Sequence, residues 1–203
     1  MNNSLPPLKV KRHTGQELLV DGQVRLGPCL KDFWAWAFSS IMDNTLRGLF
    51  AEWLVAVAVG SADDFRVEWG SYDLETPTGI KLEVKSSGYI QSWHQKRLSR
   101  ISFNIKETLS WSPDTNEFED EKNRPAEVYV FCVLKWKDKI TIRPLDVSQW
   151  RFYVISTKAI NLKLGGQKTV SLGRLEEIGL IPLEYHQLKE AIEVVNESDT
   201  LFS

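Results

Sequence analysis

Asp73, Glu83 and Lys85 are the residues of this chain whose types and spacing most invite chemistry. They lie in Ser71-Tyr-Asp-Leu-Glu-Thr-Pro-Thr-Gly-Ile-Lys-Leu-Glu-Val-Lys85, which alternates apolar and polar positions on both sides of a turn. Pro77 suits the first central position of a type I turn, Thr78 the second, and Gly79 the left-handed residue that closes a three-residue hairpin loop. Such a loop pairs Thr76 with Ile80 and so fixes the register of both strands. Leu74 then faces Leu82 and Tyr72 faces Val84 on an apolar side. On the other side Glu75 meets Lys81, Asp73 meets Glu83 and Ser71 meets Lys85.

Residues directly opposite each other in such a pair have Cβ atoms about 5 Å apart. Two carboxylates at that separation repel by about 3 kcal/mol at an effective dielectric near 20, or about two pKa units. Glu75 with Lys81 reads as an ordinary surface pair. Asp73 with Glu83 demands a compensating cation: Lys85 on the same face, or a divalent metal held through oxygen.

Glu52 is a second anomaly. It is the only ionisable residue from Gly48 to Gly60, and Trp53 to Val59 is apolar all round, the pattern of a helix buried in a core. A carboxylate there is costly unless paired or bound to a cation. The bland reading puts Glu52 at the exposed start of its helix. The neighbouring acidic hairpin favours the other reading, because consecutive elements tend to be neighbours in space.

The elements that must position these residues follow from capping and periodicity. Asp43 or Asn44 caps a helix that runs to about Val59 and stops at Gly60. Ahead of it, residues 16–26 predict a hairpin turning at Asp21-Gly22, and residues 31–42 an aromatic-rich helix. Beyond the acidic hairpin, residues 101–105 predict a strand and residues 112–125 a mobile, acidic surface loop. Val128 to Trp136 predicts a central strand, with further strands at 139–143 and 152–156. Residues 172–195 predict helix with a break near Gly179 and Pro182. The expected fold is therefore α/β (α+β), a mixed β-sheet flanked by helices, with the whole 203-residue chain as one domain.

Helix acid, strand Asp and acid-x-Lys together resemble the PD-(D/E)XK nuclease family, over roughly residues 45–105. The match is Glu52 on the helix, Asp73 on one strand and Glu83-Val84-Lys85 on the next; the proline that usually precedes the Asp is replaced by Tyr72. The resemblance implies a restriction-endonuclease-like core and a Mg²⁺-dependent hydrolase of DNA phosphodiester bonds, read here as an endonuclease, with Mn²⁺ as an alternative ion. Asp73, Glu83, the Val84 carbonyl and Glu52 would be the metal ligands, and Lys85 would act on the attacking water. Family members also place a Gln downstream of the Lys, which leaves Gln91 and Gln95 as alternatives.

The partner implied is DNA, and cutting both strands at once would favour a homodimer. Net charge is −2, so nucleic-acid binding requires a local basic surface. His94, Lys96, Arg97, Arg100 and Lys106, interleaved with Tyr89 and Trp93, supply one; Ser86, Gln91, Gln95, Lys96, Arg97 and Arg100 are the expected contacts. The competing readings are a non-catalytic nucleic-acid-binding or assembly module of the same fold, and a protein-interaction domain recruiting a basic partner through residues 112–125.

Several classes are excluded. The longest apolar stretch, Trp53 to Val59, is far short of the roughly 20 residues of a membrane span. The first residues lack the apolar core of a secretion signal, and Cys29 and Cys132 match no CxxC pattern, which together predict a cytoplasmic protein. His13, His94 and His186 lack zinc-ligand spacing.

Overall fold

A computed structural model describes residues 8–66, 70–109, 111–112, 117–118 and 120–200. The expected α+β architecture is present: a mixed four-stranded sheet with helices on both faces. Its strands are β3 (Leu74–Glu75), β4 (Lys81–Gly88), β8 (Val128–Leu134) and β9 (Trp150–Ser156), in the order β3-β4-β8-β9. β3 and β9 run antiparallel to their neighbours, whereas β4 and β8 are parallel, with Glu83 beside Tyr129 and Lys85 beside Phe131.

β8 is the centre of the molecule. All seven of its residues are buried, as its unbroken apolar sequence predicts. Val128, Val130, Cys132 and Leu134 pack toward helices α2 (Asn44–Val59) and α5 (Leu188–Thr200). Tyr129, Phe131 and Val133 face a second core, built by the small sheet of β5 (Ser102–Asn104) and β10 (Thr169–Ser171) with α3 (Thr157–Leu164) and α4 (Leu172–Glu177).

α2 forms where its caps predict. The Asp43 carboxylate accepts from the Thr45 N–H, and Gly60 ends the helix in the left-handed conformation at φ 82°. Its apolar sequence is not buried all round, however. Ala51, Leu54, Val55 and Val59 enter the core, while Val57 is exposed and Trp53 is exposed beside a cleft.

Other expectations need correction. Residues 139–143 form no strand: the Asp138 carboxylate accepts from the Ile140 N–H and Thr141 hydroxyl, and the Gln149 amide takes the Arg143 N–H. These side-chain bonds make a turn where a ladder was expected. Within 112–125, residues 113–116 and 119 lie outside the described residues; the rest is partly regular. β6 (Trp111–Ser112) pairs with β7 (Glu117–Phe118), Thr108 bridges Asn123, and Arg124 is buried. α3 has no counterpart among the sequence expectations, although Ser156 caps it and Gly165 closes it.

The N-terminal hairpin forms as expected, from β1 (Leu18–Asp21) and β2 (Val24–Cys29), and leads into α1 (Leu30–Phe38), which is shorter than residues 31–42. No described helix is long and apolar enough to cross a membrane.

Candidate functional site

The 71–85 hairpin adopts the expected register close to its turn and leaves it at Asp73. Leu74 pairs with Leu82, Glu75 with Lys81, and the Thr76 N–H donates to the Ile80 carbonyl at 2.9 Å. Gly79 takes φ 88°. The regular ladder then stops: the Asp73 N–H donates to the Leu82 carbonyl, and the Val84 N–H donates to the Asp73 carboxylate at 2.7 Å. The carboxylate takes the place of a backbone acceptor, and residues 71–73 bend away.

Three expected pairs are therefore absent from the ladder, Asp73 with Glu83 among them. Tyr72 does not join Val84 but packs with the opposite core, its hydroxyl donating to Glu75 at 2.7 Å and Lys81 lying over its ring. Ser71 does not join Lys85 in the ladder. The consequence is an open edge: among the described residues, no strand pairs with β4 from Val84 onward on the side away from β8. A strand residue's N–H and C=O project to the same side, so the Val84 carbonyl faces that edge too.

Three acids influence one another's ionisation there. Glu83 and Lys85 project from the sheet face that holds Tyr129 and Phe131, whereas Glu52 comes from α2 on the other face. Asp73 stands between them at the edge. The Glu83 carboxyl is pushed above its ordinary value by burial first and by the Asp73 carboxylate second, and Lys85 pulls it back. Burial also raises Glu52; hydrogen bonding to Arg66 opposes this, and the Asp73 charge adds to it. The Tyr129 phenol is raised by burial and then by Glu83. The Asp73 charge thus bears on both Glu83 and Glu52, and Lys85 and Arg66 oppose it.

Each acid has a partner. Glu83 pairs with Lys85, Glu52 with Arg66, and Asp73 with the Val84 N–H. Among the described residues no three His, Cys, Asp or Glu side chains form a ready-made metal cage. The donors are nevertheless all oxygen, three carboxylates and a carbonyl, which is the chemistry of a hard divalent cation. A cleft of about 500 Å³ opens beside Glu52 and Asp73, walled by Trp53, Phe65, Arg66 and Tyr72.

The raised Glu83 value has a measurable sign. A carboxyl whose folded value lies above its unfolded one contributes stability that is complete below the ordinary value of 4.5 and lost as pH rises through the folded value. Glu83→Gln removes that loss. In chelator, the thermal midpoint of Glu83→Gln should exceed that of the unaltered protein at neutral pH, and the gap should close toward pH 4.5. A gap independent of pH would show that Glu83 is not strained in this way.

The downstream loop is organised by a residue the sequence reading overlooked. Arg47, buried on the first turns of α2, donates to the Ser86 hydroxyl at 3.3 Å, the Gln91 side chain at 3.2 Å and Asn44 at 2.7 Å. Gln91 is itself buried and donates to the Gly88 carbonyl and Ser99 hydroxyl. Gln95 accepts the Gln91 N–H and donates to Tyr89 and Ser99. Ser86, Gln91 and Gln95 therefore brace residues 88–99, while Lys96, Arg97 and Arg100 remain exposed on that loop.

The chain after β8 joins the same surface: Lys137 lies over the Tyr89 ring at 4.7 Å and Lys139 donates to the Trp93 carbonyl. Parallel strands β4 and β8 end side by side, which is why these segments meet. Nothing in the local sequence signals this, nor the pairing of Arg66 with Glu52. Arg47 had a signal, as the lone cation of α2. Arg47→Ala should cost about 2 kcal/mol, the scale of losing a buried charged hydrogen-bonding group. Hydrogen exchange should locate the loosening in residues 88–99; unchanged protection there would remove Arg47's bracing role.

No curated protein matches the chain. The family model for bacteriophage T4 endonuclease IV matches residues 37–174, a span that includes α2, the broken hairpin, all of β4, the braced loop and β8. That span is more than half of the sequence and contains Glu52, Asp73, Glu83 and Lys85, so the chain belongs to the bacteriophage T4 endonuclease IV family, a family of phage endonucleases.

Proposed function

We propose that the chain is a divalent-metal-dependent endonuclease that hydrolyses DNA phosphodiester bonds at a PD-(D/E)XK-type site. The observation that carries this reading is the open edge of β4, where the Val84 N–H holds Asp73, Lys85 pairs with Glu83, and the Asp73 charge raises both Glu83 and Glu52. Membership of an endonuclease family supports it. Asp73 and Glu83, with the Val84 carbonyl and Glu52, would hold Mg²⁺ or Mn²⁺. The ion's chemistry is to stabilise charge on the phosphate and acidify a water.

The chain's own groups do the remaining work. The Val84 N–H fixes the Asp73 carboxylate, so one acid is oriented before substrate arrives. Lys85 sits against Glu83 and can turn its ammonium to the attacking water or a phosphate oxygen once Glu83 has another cation. Arg66 holds Glu52 in the same manner. Lys96, Arg97 and Arg100 are free to meet backbone phosphates, with Lys137 and Lys139 on the adjoining segment.

Titration calorimetry tests the site directly. Mg²⁺ and Mn²⁺ should bind the unaltered protein in the presence of an uncleavable DNA analogue, and Asp73→Asn should remove that binding. A protein that binds neither ion with DNA present, and that leaves single- and double-stranded DNA uncut in Mg²⁺, would overturn the proposal in favour of a non-catalytic module.

A further inference from the structure

The cleft beside Glu52 and Asp73 has an uneven charge balance. Four acids line it, Glu52, Asp64, Asp73 and Glu75, and among the described residues Arg66 is its only basic side chain. A cleft walled by one sign of charge focuses its field and repels an approaching anion. Arg66 is already committed there. Its Nε donates to one oxygen of the Glu52 carboxylate, and an Nη nitrogen donates to the other at 3.4 Å. The Glu52 side chain is 15% exposed and that of Arg66 is 41%, so the arginine is the more accessible partner.

A purely structural ion pair would serve to fasten the 61–66 segment to α2. That segment has other ties. The Ser61 N–H donates to the Ala56 carbonyl at 2.8 Å and the Ser61 hydroxyl to the Glu75 carbonyl at 2.7 Å, while Arg12 donates to the Asp63 carbonyl. A partly exposed ion pair adds little to stability beyond these. What the pair does control is Glu52 itself. A carboxylate with a guanidinium on both oxygens is a poor ligand for a second cation, because the two positive charges repel at contact distance.

We infer that Arg66 couples DNA to the metal site by exchanging partners: it holds Glu52 until an ion takes that carboxylate over, and it then meets a phosphate of the substrate. The role rests on the divalent-metal nuclease reading. Charge is conserved at each station of the exchange, since the guanidinium leaves one anion for another and the ion replaces it on the first. Arginine suits both stations, because its planar fork of donors matches a carboxylate and a phosphate alike. Linkage makes the effect reciprocal: DNA that draws Arg66 from Glu52 favours the ion, and the ion that displaces Arg66 favours DNA.

Two titrations of Arg66→Gln test the exchange. Without DNA, Mn²⁺ should bind the variant about 5-fold or more tighter than the unaltered protein, because the competing cation is gone. In saturating Mn²⁺, a phosphorothioate DNA oligonucleotide should bind the variant about 5-fold or more weaker, the loss of one charged phosphate contact. A structural role would not move the two affinities in opposite directions. Combined with Glu52→Gln, Arg66→Gln should no longer tighten Mn²⁺, which would tie the competition to that carboxylate. Mn²⁺ affinity unchanged or weakened in Arg66→Gln overturns the inference, and so does unchanged DNA affinity. Mn²⁺ binding that the unaltered protein shows and Asp73→Asn loses would keep the metal site whatever Arg66 does, so the two readings fail separately. Should Arg66→Gln not fold, the side-chain Nε–H resonance of Arg66 in the unaltered protein replaces it. Saturating Mg²⁺ must shift that resonance, and an unmoved signal overturns the exchange.

Discussion

Asp73→Asn should leave the protein folded and at least as stable as the unaltered chain, while lowering DNA cleavage by roughly 10²–10³-fold or more. The two halves of this result have separate causes. Asn retains a carbonyl oxygen that can accept from the Val84 N–H, the bond that ends the hairpin ladder at 2.7 Å. It also removes the charge that helps raise both Glu83 and Glu52, so the apo site is relieved of repulsion. Asp73→Ala, by contrast, leaves the Val84 N–H without its partner and should cost about 1–3 kcal/mol. Comparing the pair separates the carboxylate's chemistry from its place in the fold: both should be inactive, and only Ala unstable.

Lys85→Ala should be inactive in a different way. Its effect should fall on kcat with ion binding retained, because Lys85 donates no ligand. Arg at this position should not restore the rate, since a broad, planar guanidinium does not replace a compact ammonium. Asp73→Asn with cleavage within tenfold of the unaltered protein, measured in Mg²⁺ on equal amounts of folded protein, would remove Asp73 from the site.

The local elements that build this site were legible because their determinants are local. Pro77, Thr78 and Gly79 dictate the turn, and the turn dictates the register of Leu74 on Leu82. Asp43 and Gly60 bracket α2 in the same way. The reading failed one residue beyond the regular ladder because Asp73 can accept a backbone N–H itself, and alternation carries no information on that choice. The misplacement of Tyr72 follows from it. Glu52 could be flagged as an oddity, but its partner Arg66 is 14 residues away in an irregular segment, beyond any periodic signal. Gln91 and Gln95 are alternatives in the sequence because the resembled family places a Gln downstream of its Lys, and the local sequence does not say what either side chain bonds. Their actual partners, Arg47 and Ser99, come from a helix before the hairpin and from the far end of the loop.

The short β3 and the burial of β8 act together. Because β8 occupies one side of β4 along its whole length, the only backbone of β4 left open lies on the side that β3 abandons at Asp73. A longer β3 would pair with Val84 and Ser86 and close that edge. The break thus leaves the Asp73 carboxylate on the Val84 N–H at an unpaired stretch of β4.

Arg124→Ala should be among the most damaging substitutions outside the site, costing about 3–5 kcal/mol, the sum of several buried carbonyls left without a donor at about 1–3 kcal/mol each. The Arg124 side chain is 1% exposed. Its guanidinium donates to the Ile105 carbonyl at 2.8 Å, to Glu107 at 3.1 Å, to the Asn161 side chain, and to the Gly165 and Gln167 carbonyls at 2.9 and 3.4 Å. It therefore ties the exit of β5 to the last turn of α3 and to the connection into β10. Removing it leaves those carbonyls facing a void in which water cannot reproduce a planar fork of donors. Lys should not rescue it, because one ammonium cannot reach all of these acceptors at once. At this chain length the loss corresponds to a fall of roughly 10 °C in the thermal midpoint. Ion binding at the β4 edge, measured at low temperature, should persist, because the Arg124 bonds run to Ile105, Glu107, Asn161, Gly165 and Gln167 and to none of Glu52, Asp73, Glu83 and Lys85. A fall of under about 1 kcal/mol would mean that water satisfies these carbonyls and that the residue which closes the acidic 112–125 segment is no anchor.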